Sequence, residues 1–211
     1  MSPSTASDPW PPAHCPPLAW PTLASQNERF AWYRAVIEAY AQLWEEHVTQ
    51  TKMAPVGEKD LTDLENRLGC ALPPALRAYH QTLGALSLAE TLCSVAESDT
   101  PIQPLLEAFP AIEDIAENED QLSLAHELIV FSDYLGNGNM FCFHRKTGEV
   151  YYFDHDGGAM LTCFFPSPQN YLDALMIRCL AEIHQETADE ASEESILAQR
   201  FGQQLVRKWL Y

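Results

Sequence analysis

Residues 128–165 read LIVFSDYLGNGNMFCFHRKTGEVYYFDHDGGAMLTCFF, and this stretch decides the fold. Runs 128–131, 140–144, 150–153 and 160–165 are short and rich in β-branched and aromatic side chains. Segments 133–139, 145–148 and 154–158 between them carry the Gly, Asn and Asp of tight turns. That alternation of composition marks strands and turns. Loops this short cannot carry a crossover, so the strands must pair antiparallel.

The flanks read as helices. Ser167-Pro168 is an N-cap followed by proline at the first helical position. Tyr171, Leu172, Leu175, Met176, Cys179 and Ile183 then carry a helix to about Glu186. After an acidic linker, 189–194, a final helix places Leu197, Phe201, Leu205 and Trp209 on one face. On the other side, Leu61, Leu64 and Leu68 form the apolar face of a short helix that Gly69 can terminate in the left-handed conformation. Leu72-Pro73-Pro74 restarts the chain into a second helix, with Leu76, Tyr79 and Leu83 inward and Gly84 at its end. Earlier still, Phe30, Tyr33, Ile37, Tyr40, Trp44 and Val48 recur three or four apart and predict a core-facing helix over 26–50. Residues 85–126, punctuated by Pro101, Pro104 and Pro110, read as a variable loop with one or two short elements at most. Residues 1–24 read as a Pro-rich arm, pinned by Trp10 and Trp20.

The expectation is an α+β fold: an antiparallel sheet of about four to six strands backed by helices, with extra helices at both ends. Residues 25–211 make one domain of ordinary size. A 46% hydrophobic chain builds its core without disulfides. The six cysteines form no C-x-x-C pair and read as buried free thiols in a reducing compartment. No signal peptide and no apolar run of membrane-spanning length is visible, so the reading is cytoplasmic.

Charge narrows the function. Lys and Arg number 12 against 30 Asp and Glu, a formal net charge of -18. Between Arg77 and Arg145 there is no cation, while Glu90, Glu97, Asp99, Glu107, Glu113, Asp114, Glu117, Glu119, Asp120, Glu127 and Asp133 fall there. Such a surface repels nucleic acid and attracts basic proteins.

The block Asp60-Leu61-x-x-Leu64-Glu65-x-x-Leu68-Gly69-x-x-Leu72-Pro73 and the block Ile129-Val130-Phe131-Ser132-Asp133-x-x-Gly136-Asn137-Gly138-Asn139-x-Phe141-Cys142-Phe143 together resemble the SUKH superfamily. The first is similar to its opening helix pair. The second resembles its central strand–loop–strand, and 148–156 the hairpin after it. Tyr171-Leu172-x-x-Leu175 is similar to the helix that follows the sheet. The resemblance covers about 55–185; the acidic 85–126 insert and the terminal elements depart from it. It implies an immunity protein of a polymorphic-toxin, contact-dependent-inhibition or type VI secretion system, one that binds a cognate toxin domain, often a nuclease, and occludes its active site. The alternative is a regulatory scaffold that binds an endogenous partner, as in a fungal branch. The family shares no catalytic residues, so no catalytic residue, cofactor or metal is expected here.

Asp133, Asn137 and Asn139 with Asp154 and Asp156 invite a calcium reading, yet the spacing is not an EF-hand and turns already account for the Asn and Gly. Asp154-His155-Asp156 suggests an acid–base pair at a strand end, and Cys142 with His144 a thiol–imidazole pair on one strand face. A small hydrolase or metal-dependent enzyme is thus a third reading. The partner-binding candidates are the loop residues Asp133, Asn137, Asn139, Asp154 and Asp156 and the block Glu113, Asp114, Glu117, Glu119 and Asp120. The partner is a basic toxin domain, with neither nucleic acid nor membrane bound. Oligomeric state is open, with a monomer favoured.

Overall fold

The structure is a computed structural model that describes residues 10–43, 52–96, 99–133, 138–156, 159–185 and 190–210. The elements in order are α1 (Gln26–Leu43), α2 (Glu58–Leu68), α3 (Pro74–Thr82), β1 (Thr91–Leu92), β2 (Gln103–Pro104), α4 (Leu105–Ala108), α5 (Ile112–Ile115), α6 (Glu119–His126), β3 (Leu128–Asp133), β4 (Met140–His144), β5 (Val150–Phe153), β6 (Leu161–Phe165), α7 (Pro168–Ile183), α8 (Glu190–Phe201) and α9 (Gln203–Leu210). The architecture is α+β, as the strand and turn pattern requires.

The sheet runs β1-β3-β4-β5-β6 and every strand pair in it is antiparallel. The two-residue strands β1 and β2 share the outer edge of β3 end to end, pairing with 132–133 and 129–130. They cover the backbone donors and acceptors that edge would otherwise present. Two bulges decide what faces the core. Phe131 is the extra residue of β3 against β4, and Phe164 the extra residue of β6 against β5. A bulge turns two successive residues toward one side. Phe164 and Phe165 therefore both pack on Phe141, at ring distances of 5.6 and 5.9 Å. Strict alternation would have sent one of them to the opposite face.

Helix α7 covers this side of the sheet with Tyr171 against Phe141 at 4.7 Å and Phe131 at 5.1 Å. Helix α1 packs on α7, burying Tyr33, Val36, Ile37 and Tyr40. Trp44 and Val48, the last two residues of the predicted stripe, lie outside the described residues. The α2–α3 pair forms as its Leu spacing predicts, with Gly69 at φ 66. Gly84, at φ 64, ends the α3 turn where a Cβ would lie 2.1 Å from the Ala54 carbonyl oxygen. The arm is pinned as expected. The Trp10 indole N–H donates to the Ile183 carbonyl at 2.8 Å, and Trp20 packs edge-on to Phe201 at 5.5 Å.

Three expectations are corrected. The 85–126 segment is not a loop with one or two elements; it holds β1, β2, α4, α5 and α6. Its breakers are starters: Pro104 sits at the N-cap of α4, and the Asn118 side chain accepts from the Gln121 N–H at 2.9 Å to cap α6. Ile102, Leu105 and Ile112, all fully buried, anchor these short pieces to the core. The final helix is two helices, because Gly202 takes φ 88 between α8 and α9, and α8 already begins inside the supposed acidic linker. Of the six free thiols, Cys93, Cys142 and Cys179 are buried, Cys15 and Cys70 are half-buried, and Cys163 on β6 is exposed.

Candidate functional site

Antiparallel register places the loop candidates. Asp133 pairs with Met140, Met140 with Phe153, and Phe153 with Leu161, one row across the same end of the sheet. Asp133 closes β3, Asn139 precedes β4, and Asp154 follows β5. Asp133 and Asp154 are thus roughly 10 Å apart, two strand spacings. Asn137 lies outside the described residues.

The side chains at this end are held by one another. Asn139 Oδ1 accepts from the His155 backbone N–H at 3.2 Å and lies 3.0 Å from His155 Nδ1. Its Nδ2 donates to the Tyr152 hydroxyl at 3.1 Å. His155 Nε2 is 3.2 Å from the exposed Asp156 carboxylate. Asp154 Oδ1 accepts from the Asp156 N–H at 3.2 Å, and its Oδ2 is 3.8 Å from Lys208 Nζ, so α9 brings a cation into this end. Lys208 also donates to the Ala159 carbonyl at 2.9 Å. Asp154 is therefore partly neutralised within the chain, whereas Asp156 points to water.

The acidic block approaches the same end through Phe109, whose ring packs on Phe153 at 5.0 Å and His155 at 5.8 Å. Three residues later α5 begins. Glu113, Asp114, Glu117, Glu119 and Asp120 are all exposed. Glu113 and Asp114 occupy the first turn of α5, and Glu119 and Asp120 that of α6. For α6 the helix dipole by itself favours acids there. Among them stands Ile115, 43% exposed, one of two large apolar side chains so exposed among the described residues.

Two acids of the cation-free stretch are spent inside the fold. Glu127 pairs with Lys146 at 2.8 Å, which holds its carboxyl below the usual range. Glu90 is fully buried, a correction to its place in the acidic surface. Its Oε2 accepts from the Tyr171 hydroxyl at 2.6 Å, its Oε1 from Arg178 Nη1 at 2.7 Å, and the Trp209 indole N–H also donates to Oε1. The Tyr171 hydroxyl lies 2.5 Å from Ser132 Oγ. Burial raises the Glu90 carboxyl pKa and Arg178 pulls it back. No sequence signal marked this, because the partners lie 81, 88 and 119 residues away.

The catalytic alternatives find little geometry. His144 Nδ1 accepts from the Lys146 and Thr147 backbone N–H groups at 3.2 and 3.3 Å, so it serves the turn; Cys142 is buried, and desolvation pushes its thiol well up. A thiol–imidazole contact does exist elsewhere: Cys15 Sγ lies 3.7 Å from His184 Nε2, 169 residues apart. Burial raises the Cys15 thiol, the wrong direction for a nucleophile. Among the described residues no group of three His, Cys, Asp or Glu side chains is placed to hold a metal ion. No described helix is long and apolar enough to cross a membrane.

Residues 55–174, more than half of the 211, match the model of the SMI1 / KNR4 family (SUKH-1). No curated protein and no solved structure gives a significant match.

Proposed function

Because the chain belongs to the SMI1 / KNR4 family (SUKH-1), we propose that it is a non-enzymatic immunity protein that binds one cognate bacterial toxin domain and blocks its active site. The observation that carries this reading is the exposed acidic block around Ile115, set beside the loop end of the sheet by Phe109. A toxin that cuts nucleic acid needs a basic cleft for phosphate. Carboxylates presented on short helices, α6 capped by Asn118, occupy that cleft without reorganising, and an apolar residue ringed by charges supplies the desolvated centre that binding energy favours. Exposed Asp156 extends the face, half-buried Asp133 and Asn139 stand at its edge, and Asp154 contributes less because Lys208 already stands beside it.

The experiment is co-expression with the C-terminal domain of the large gene adjacent to this one, scored by survival and co-purification. The expected complex is 1:1 and weakens as salt rises. Joint reversal of Glu113→Lys and Asp114→Lys should slow association at least tenfold and flatten the salt dependence, and Ile115→Asp should speed dissociation. Unchanged kinetics in all three would remove the α5 face from the reading. Capture of a resident cellular protein with no rescue of growth would replace immunity by a scaffold role.

A further inference from the structure

At the opposite end of the sheet, where β6 stops at Phe165 and α7 begins, a cleft of about 490 Å³ opens between the first turns of α1, α3 and α7. Its walls are apolar: Phe30 and the Tyr33 ring from α1, Pro74 and Ala78 from α3, Leu172 from α7. Cavities of this size and character hold small ligands when a few polar groups converge in them. Here Arg29 supplies the charge. It spends a single nitrogen, Nη1, on both oxygens of the buried Asp173, at 2.9 and 2.8 Å. The Tyr33 hydroxyl donates to the same carboxylate at 2.6 Å, so that oxygen is committed and only its ring faces the cleft. Arg29 Nε is buried without a protein partner, and the side chain as a whole keeps 18% of its surface open.

Among the described residues, Arg29 is the one charged side chain in the cleft lining, in a protein of net charge -18. A guanidinium recognises carboxylate or phosphate by parallel N–H donors. One partly committed guanidinium in an apolar cleft suits a monoanion with a hydrophobic body better than a phosphate dianion, which needs several donors.

We propose that the cleft between α1, α3 and α7 is a binding site for a small carboxylate with an aromatic or branched apolar body, anchored by Arg29. It lies at the other end of the sheet from the acidic face and is independent of the immunity reading. The test uses the full chain with 3-phenylpropionate and its neutral amide, 3-phenylpropionamide, followed by calorimetry and by chemical-shift perturbation. The acid should bind in the low millimolar range or tighter, the amide at least tenfold more weakly, and Ala78→Phe should abolish acid binding by filling the cleft. Gln169→Trp blocks it from the α7 wall, so the outcome does not hang on one variant folding. Equal binding of acid and amide, acid binding that survives both blocking variants, or no acid binding at low millimolar would each overturn the proposal.

Discussion

His80 makes this fold acid-sensitive by an amount that can be worked out. The ring is fully buried on α3, edge-on to Tyr79 at 5.7 Å, and neither ring nitrogen has a protein partner. Desolvation therefore disfavours the imidazolium and lowers the pKa from 6.5 to about 4. A histidine depressed in the folded state binds its proton more readily when unfolded. Stability is then full above pH 6.5, falls as pH drops toward 4, and levels off below. At about 1.4 kcal/mol per pH unit the complete loss is about 3 kcal/mol, with about 2 kcal/mol gone by pH 5. The assay is urea unfolding of the natural chain and His80→Leu at pH 7.5, 6 and 5. The carboxylates, including the buried Glu90 and Asp173, titrate in both proteins and cancel in the difference. Leucine fills similar volume and also removes two unpaired polar atoms, so His80→Leu should match or exceed the natural chain at pH 7.5. Its advantage should grow by about 2 kcal/mol at pH 5. An advantage that stays constant between those pH values would refute the reasoning, since the ring would then hold a proton in the folded state at little cost.

Other perturbations probe other parts of the fold. Glu90→Ala removes the buried carboxylate that Arg178, Tyr171 and Trp209 share, although Arg178 keeps Glu193 at 3.5 Å, and should cost about 3–5 kcal/mol in urea unfolding, whereas Glu90→Gln, which can still accept from Tyr171 and Trp209, should cost less. Gly84→Ala forces a Cβ to 2.1 Å from the Ala54 carbonyl and should lower the melting temperature far more than Gly148→Ala. The latter meets nothing within 4 Å and carries only the left-handed backbone penalty of about 1–2 kcal/mol. Thiol titration of the native chain should modify Cys163 first and Cys15 and Cys70 slowly. Cys93, whose thiol is pushed up to about 12 by burial, should react with Cys142 and Cys179 only in denaturant.

Much of the fold was legible because it rests on local rules. Turn composition set the antiparallel order of β3 to β6, and the Leu61, Leu64, Leu68 spacing with Gly69 located the first helix pair. What was missed depends on distant partners. The 85–126 segment looks like a loop because its helices are four to eight residues long, too short for a periodic signal. They are ordered by burial of Ile102, Leu105 and Ile112 and, for α6 alone, by the Asn118 cap. The bulges at Phe131 and Phe164 are invisible in a period-two reading. At the sheet end, shared register explains why Asp133, Asn139 and Asp154 gather, since the turn residues of one meander must meet there. That Asp154 has a lysine beside it could not be read, because Lys208 comes from a helix beyond the sheet. Glu90 shows the limit of reading charge from composition: an acid in an acid-rich run reads as solvent-facing, yet this one is fully buried.

The Glu90 contacts also bear on how the chain is made. Its carboxylate meets the Trp209 indole only after 119 further residues have been joined. At ribosomal speeds of about 5–20 residues per second that is a wait of roughly 6–24 s. For the last 44 of those residues, from Phe165 at the end of β6 to Trp209, the aromatic side of the finished sheet has no α9 to cover it. Closure of the Glu90 site therefore waits for α9 and cannot accompany synthesis of the sheet.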